Sequence, residues 1–156
     1  MTLFPLVAIP LLGALLPGLL QRFPGATPAR VAGLVTLAAL GWLAMVARGL
    51  SPAAPRVESV SWIPALGLDL SLRLDGFSLL FVLLILGIGL LVIVYAAYYL
   101  GPDEPKERFF GYLLLFMGAM QGVVLSENLL LMVVFWELTG LASFLLIGFW
   151  PVSYTH

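Results

Sequence analysis

The feature that constrains this chain most is Phe77 to Leu100, a run of 24 residues without a charged side chain. As an α-helix it extends roughly 36 Å at ~1.5 Å per residue. That length is enough to cross a hydrocarbon core of about 30 Å. Tyr95, Tyr98 and Tyr99 lie at its end, where amphipathic aromatic rings suit the membrane–water interface. The run predicts a transmembrane helix and excludes a soluble globular domain.

Other apolar runs follow the same pattern, and the few charged residues are gathered between them. Hydrophobic residues make up 62% of the 156 residues and charged residues 10%, against about a quarter charged in ordinary soluble domains. We predict an all-α membrane protein with about five transmembrane helices and a short extramembrane β-hairpin between helices two and three. The predicted helices cover Leu3–Leu20, which Pro5, Pro10 and Pro17 should bend, Val31–Ala47, Phe77–Leu100, Phe109–Leu125 and Leu129–Trp150.

The segment between the second and third predicted helices has the pattern of a β-hairpin. Leu68 to Asp75 alternates strictly between apolar and polar residues, which is typical of a strand. Val57 to Trp62 is also strand-like, and Pro64 to Gly67 supplies the turn. Asp75 comes directly before the long apolar run, so we interpret it as the N-cap of helix three rather than as a catalytic acid.

Net charge and residue types exclude several classes of function. Seven basic and eight acidic residues give a formal net charge of -1, which offers no basic surface for nucleic acid. Cysteine is absent, and the only histidine, His156, is the last residue. We therefore expect no metal centre and no cofactor, and the chemistry must rest on carboxylates.

Glu137 is the carboxylate with the most unusual position. It lies nine residues into the last predicted helix, roughly 13 Å from the helix start at ~1.5 Å per residue, and so near the middle of the hydrocarbon core. A bare carboxylate there is costly, so it should be protonated or accompanied by a cation or by water. Each of these states gives a group that exchanges protons. The alternative is a carboxyl group that only hydrogen-bonds a neighbouring helix, and the cost of an ionisable group at this depth favours the functional interpretation.

Three polar residues in the last two predicted helices are candidates for lining a proton path beside Glu137. They are Gln121, Thr139 and Ser143, which could hold a file of water molecules. For each one alone, an ordinary helix–helix contact is an equally good interpretation. Gly118 and Gly122 have the spacing that lets a neighbouring helix approach closely.

The remaining charged residues near the hairpin receive simpler interpretations. Asp69 and Arg73 are predicted to be solvated residues on the hairpin faces. Glu127 lies in the short turn between the last two helices, where an acid near a helix start is favoured by the helix dipole. Its alternative role is a residue at the mouth of a path that attracts cations. The shortness of this turn predicts that the two helices are antiparallel neighbours.

Two stretches of the chain resemble one family of membrane proteins. The large antiporter-like subunits of respiratory complex I and of the multisubunit Mrp cation/proton antiporters are similar to Phe109–Trp150, FFGYLLLFMGAMQGVVLSENLLLMVVFWELTGLASFLLIGFW. The A subunits of the Mrp antiporters are more similar than their complex I relatives to Trp62–Leu100, WIPALGLDLSLRLDGFSLLFVLLILGIGLLVIVYAAYYL. The resemblance covers the chain as far as Trp150.

The resemblance implies a role and an organisation. In that family the glutamate of the FWE motif, here Glu137, pairs with a lysine two helices further on and takes part in moving protons. Family members have about fourteen or more helices with two inverted five-helix repeats, so we expect this chain to be an N-terminal fragment. The expected parts are 1–50 (helices one and two), 51–76 (the hairpin loop), 62–112 (a region like the N-terminus of complex I chain 5), 109–150 (the start of the proton-antiporter domain) and 151–156 (a non-native tail).

The resemblance leaves three functions open. The first is a multi-pass subunit of an Na+/H+ antiporter in the bacterial inner membrane, with other membrane subunits, protons, monovalent cations and the lipid bilayer as partners. The second is a proton-translocating membrane subunit of an NADH:quinone oxidoreductase, which would make the chain part of an enzyme. The third is an inactive structural fragment. The hairpin and the third helix favour the antiporter.

Overall fold

The computed structural model describes residues 3–20, 22–25, 27–49, 55–66, 68–100 and 105–149, and for Trp62 and Leu68 the backbone alone. The described part is mostly helical and contains one two-stranded antiparallel sheet, which confirms the predicted fold class. The predicted tail 151–156 and the end of the last predicted helix at Trp150 lie outside the described residues. The elements in chain order are α1 Phe4–Gly13, α2 Leu16–Leu19, α3 Pro28–Arg48, β1 Arg56–Ile63, β2 Leu68–Leu74, α4 Gly76–Tyr99, α5 Lys106–Leu125 and α6 Leu129–Ile147.

The first predicted helix is divided in two. Ala14 and Leu15 form a turn between α1 and α2, so the predicted helix over Leu3–Leu20 is interrupted, although Phe4–Leu19 as a whole is a short apolar helical segment. Pro17 has no N–H group to donate to the carbonyl of Gly13, so the helical hydrogen-bond ladder is interrupted at this point. Pro10 lies inside α1 without ending it. The prolines therefore do more than bend the segment.

Four helices in the described part of the chain are long and apolar enough to cross a membrane: α3, α4, α5 and α6. Side-chain caps fix the starts of several of them. Thr27 accepts a hydrogen bond from the Arg30 N–H at 3.3 Å, and Asn128 accepts one from the Leu130 N–H at 2.8 Å. The observed ends differ from the predicted ones by three residues at most. Helices α3 and α5 begin earlier than predicted because they include polar residues that hydropathy alone leaves out, whereas α6 ends earlier, at Ile147 before the C-cap Gly148.

The hairpin has the predicted strands. β1 and β2 are antiparallel, with Ser59 opposite Ser71 and Val57 opposite Arg73. A short 3-10 helix, Pro64–Leu66, lies at the predicted turn. Leu72 and Leu74 are buried while Arg73 between them is exposed. The alternation therefore predicted the face of β2 that packs on the helices.

Helix α5 lies at the centre of the bundle and contacts α1, α2, α3, α4 and α6. Its glycines face different neighbours. A Cβ atom on Gly118 would lie 2.7 Å from Leu11 of α1, and one on Gly122 would overlap the Phe135 ring of α6. Gly118 therefore lets α1 approach α5 closely, and Gly122 does the same for α6. The two glycines face different helices because positions four residues apart on a helix point in directions that differ by about 40°.

Candidate functional site: the groove at Glu137

Helix α6 positions the candidate residues. It follows α5 after the short turn Ser126–Asn128, and its most extensive helix contact is with α5. This confirms the predicted pairing of the last two helices. Glu137 is the ninth of the nineteen residues of α6, and its side chain is exposed.

A groove of about 490 Å³ between α5 and α6 brings three of the four predicted residues together. Glu137, Thr139 and Ser143 all line it. The other lining residues are Phe116, Met120, Val123 and Val124 from α5 and Trp136 and Gly140 from α6. The groove therefore has an apolar wall on α5 and a mixed wall of carboxyl, hydroxyl and small residues on α6.

Gln121 does not share this groove. Its side chain is completely buried inside the bundle, and it is not among the lining residues. Neither of its amide atoms has a hydrogen-bond partner among the described residues. Gln121 lies away from this groove because Gln121 and the α6-facing residue Gly122 point in directions about 100° apart, and its place on a path with Glu137 stays a prediction.

The ionisable and hydroxyl groups of the groove all lie on α6. Among the described residues that line it, Glu137 alone is titratable. The ion pairs found in the described ranges are Arg56–Glu58, Arg73–Asp75 and Arg73–Glu127, and none of them includes Glu137. The hydroxyl of Thr139 donates to the carbonyl oxygen of Trp136, which leaves the lone pairs of the hydroxyl oxygen able to accept a hydrogen bond.

The chemistry that this arrangement offers is the binding of small cations and water. One carboxyl group in an apolar groove can bind a proton or pair with a cation, while hydroxyl groups such as Thr139 and Ser143 can hold water. No group of three His, Cys, Asp or Glu residues suited to a metal ion occurs in the portion of the chain that the structure covers.

Asp75 has the predicted capping role. Its carboxylate accepts hydrogen bonds from the backbone N–H of Ser78 at 2.8 Å and from the Ser78 hydroxyl at 3.0 Å. These bonds, the backbone one first, hold the pKa of Asp75 below its usual value, and the nearby Arg73 acts in the same direction.

Arg73 was predicted to be a solvated residue. It is exposed, but it also takes part in two ion pairs that the prediction did not include. Although exposed, its guanidinium group lies 3.4 Å from a carboxylate oxygen of Asp75 and 3.9 Å from one of Glu127. The Asp75 contact could have been found from the sequence, because residues two apart in a strand point to the same side. The Glu127 contact depends on how the hairpin docks, which no local pattern encodes.

The sequence comparisons agree on one group of proteins. Residues 62–110 match the family model described as NADH-ubiquinone oxidoreductase (complex I), chain 5 N-terminus. The probable K+/H+ antiporter A/B subunit of Rhizobium meliloti is 57% identical over 91 residues, 58% of this chain and 9% of the relative. The Na+/H+ antiporter A subunit of Alkalihalophilus pseudofirmus is 56% identical over 94 residues, 60% of this chain and 12% of the relative. The chain thus matches about a tenth of the length of these relatives.

Two solved structures share the fold. A chain of the Mrp complex from Dietzia sp. matches with a TM-score of 0.75 and 32% identity, over 97% of this chain and 16% of that one. A chain of the membrane-bound sulfane sulfur reductase, an archaeal respiratory membrane complex, matches with a TM-score of 0.80 over 96% of this chain and 23% of that one. Its identity of 21% supports the fold alone. With four helices long and apolar enough to cross a membrane, the chain is similar to the N-terminal part of antiporter-like membrane subunits, among them the A subunits of Na+/H+ antiporters and a chain of an Mrp complex.

Proposed function

We propose that the chain is part of a subunit of a monovalent cation/proton antiporter, and that Glu137 is a residue that takes up and releases protons. The observation that carries this proposal is the position of Glu137: the ninth residue of an apolar helix, and the one titratable residue among the described residues that line the groove. An ionisable group in an apolar helix is costly, so a functional role is the default explanation for its presence. The names of the relatives support cation/proton exchange as the activity.

The proposed partners follow from the same relatives. We expect the chain to work with other membrane subunits of a complex in the bacterial inner membrane, since a solved relative is a chain of the Mrp complex. The cation is a monovalent one, because one relative is named for K+ and another for Na+. We expect Na+ because subunits named for Na+/H+ exchange match from more than one genus, at identities close to that of the K+/H+ relative.

A second candidate function is a proton-translocating subunit in the membrane arm of an NADH:quinone oxidoreductase. The observation that favours it is the match of residues 62–110 to the N-terminus of complex I chain 5. The two functions use the same carboxyl group and differ in the source of energy. An antiporter exchanges cations when a pH gradient is imposed, whereas the redox subunit requires electron transfer.

The test is cation/proton exchange in membrane vesicles that contain the assembled complex, with an imposed pH gradient and no redox substrate. Glu137→Gln keeps the shape of the side chain but cannot exchange a proton, so exchange should fall by about a hundredfold, as for loss of other proton-transfer groups. Glu137→Asp should reduce exchange less. Glu107→Gln, in the first turn of α5, is the matched control and should exchange normally.

Near-normal exchange by Glu137→Gln in complexes that assemble normally would contradict the role of Glu137. Wild-type vesicles that exchange no cation under an imposed gradient, but pump protons when NADH and quinone are supplied, would favour the second function.

A further inference from the structure

The second strand of the hairpin is attached to the turn between α5 and α6. The backbone N–H of Glu127 donates to the carbonyl oxygen of Ser71 at 2.9 Å. Leu72 and Ser126 form an isolated antiparallel bridge beside this bond. β2 therefore pairs with β1 along one edge and with the turn along the other, and it also contacts α4, α5 and α6.

The exposed side chain of Arg73 on β2 forms a second link to the turn and also reaches the start of α4. Its guanidinium group lies 3.4 Å from Asp75, the N-cap of α4, and 3.9 Å from Glu127 in the turn. Asp75 is itself fixed by two hydrogen bonds from Ser78. The turn is thus connected through one guanidinium group to a capped helix start.

Strand β2, which carries Arg73, is anchored in the bundle core by its leucine side chains. Leu72 and Leu74, on either side of Arg73, are 2% and 0% exposed and belong to the bundle core. Burial of two leucine side chains resists displacement far more than a surface ion pair does. Arg73 therefore acts from a fixed backbone, and the element that can respond to its loss is the turn.

Helix α6 is joined to the rest of the described chain at two places, along α5 and at the turn. Within the described residues only Leu131 and Ala142 of its nineteen residues are buried, so the turn is one of the two attachments that set its position. Glu137 lies ten residues after Glu127, roughly 15 Å along the chain at ~1.5 Å per residue. If the turn moved relative to β2, α6 would shift or rotate. The position of Glu137 in the groove would then change.

We propose that Arg73 is a positioning residue for Glu137: by binding Asp75 and Glu127 together, it fixes the start of α6 relative to α4 and so sets the geometry of the groove. This inference rests on the proposed function of Glu137. Arg73 is not among the residues that line the groove, and its effect passes through the turn.

The first test measures the attachment itself by amide hydrogen exchange of the turn in the assembled complex. Arg73→Gln should speed exchange of the Glu127 amide about two- to fivefold, the change in population that an exposed ion pair produces. Arg108→Gln, which removes an exposed arginine near the start of α5, should leave this amide unchanged. Introducing Arg73→Gln into Glu127→Gln should add little further change. Unchanged exchange in Arg73→Gln, or an equal effect in both backgrounds, would overturn the inference.

The second test measures positioning by the pH profile of cation/proton exchange, per assembled complex. Glu137 is the one titratable residue among the described lining of the groove, so a displaced α6 should move the profile along the pH axis. Arg73→Gln should shift the pH profile. Arg73→Lys keeps the positive charge, so its profile should lie close to that of the wild type. A profile that keeps its position and loses only amplitude would show a structural role alone and overturn the inference. If Glu137→Gln exchanges normally, the proposed function fails, while the amide measurement still reports whether Arg73 holds the turn.

Discussion

At the scale of single residues, the described carboxylates differ in what they contribute to the fold. Asp75 accepts two hydrogen bonds at the start of α4, and Glu127 lies near Arg73. Glu137 forms no ion pair among the described residues and faces an apolar wall. This position in an apolar helix is the basis of the role in proton transfer that we propose for Glu137.

Replacement of Asp75 by alanine should destabilise the start of α4. The Ser78 N–H would lose its partner, and loss of an N-cap costs about 1 kcal/mol. Asp75→Asn keeps an oxygen acceptor at this position and should cost less. Reversible unfolding of the purified chain in detergent, compared between the two variants, measures the difference, and equal stability of Asp75→Ala and the wild type would contradict the capping role.

The stabilisation by Asp75 should depend on pH in a defined direction. Hydrogen bonding to Ser78 holds the pKa of Asp75 below its ordinary value. A group with a lowered pKa in the folded state contributes its stabilisation fully above its unfolded pKa and loses it as the pH falls through the folded pKa. The difference in unfolding free energy between the wild type and Asp75→Ala should therefore be constant near neutral pH and shrink in strong acid. A difference that grows on acidification would have the wrong sign.

At the scale of helices and strands, sequence patterns predicted what depends on local chemistry. The alternation in Leu68–Leu74 predicted β2 residue for residue, and the uncharged run predicted α4 to within one residue at each end. The interruption between α1 and α2 was predicted only as a bend, although Pro17, which lacks the N–H group for the helical hydrogen bond, is visible in the sequence. The different neighbours of Gly118 and Gly122 were not predictable, because helix spacing gives direction but not the identity of the helix found there.

Gly122→Ala should be more destabilising than a glycine-to-alanine change at an open position. The new Cβ atom would overlap the Phe135 ring, so α6 or the ring must move, and such overpacking typically costs about 1–3 kcal/mol. At Gly87 nothing lies within 4 Å of the new atom, and Gly87→Ala should be neutral or stabilising because alanine has the higher helix propensity. Unfolding in detergent compares the two, and a Gly122→Ala variant as stable as Gly87→Ala would contradict the close packing of α5 on α6.

At the scale of the whole molecule, the bundle places its polar groups at two levels. The hairpin, the N-cap of α4 and the turn after α5 form one end, and the groove with Glu137 lies further along α5 and α6. Glu137, Thr139 and Ser143 could be singled out from the sequence because polar residues within a long apolar run stand out from their neighbours. Gln121 was predicted beside them because the sequence alone does not show which neighbouring helix each face of α5 contacts. The docking of β2 on the turn joins residues far apart in sequence, which is why it appears only in the structure.

The most direct measurement of the central claim is site-resolved labelling of the assembled complex by an apolar, membrane-permeant carbodiimide, which reacts with protonated carboxyl groups. If Glu137 exchanges protons within an apolar groove, mass spectrometry should find it labelled, with a yield that falls as the pH rises and as monovalent cation is added. Glu107, outside the groove, should show no effect of added cation. Labelling of Glu137 that does not change with pH or with cation, or its absence at every pH, would contradict the account.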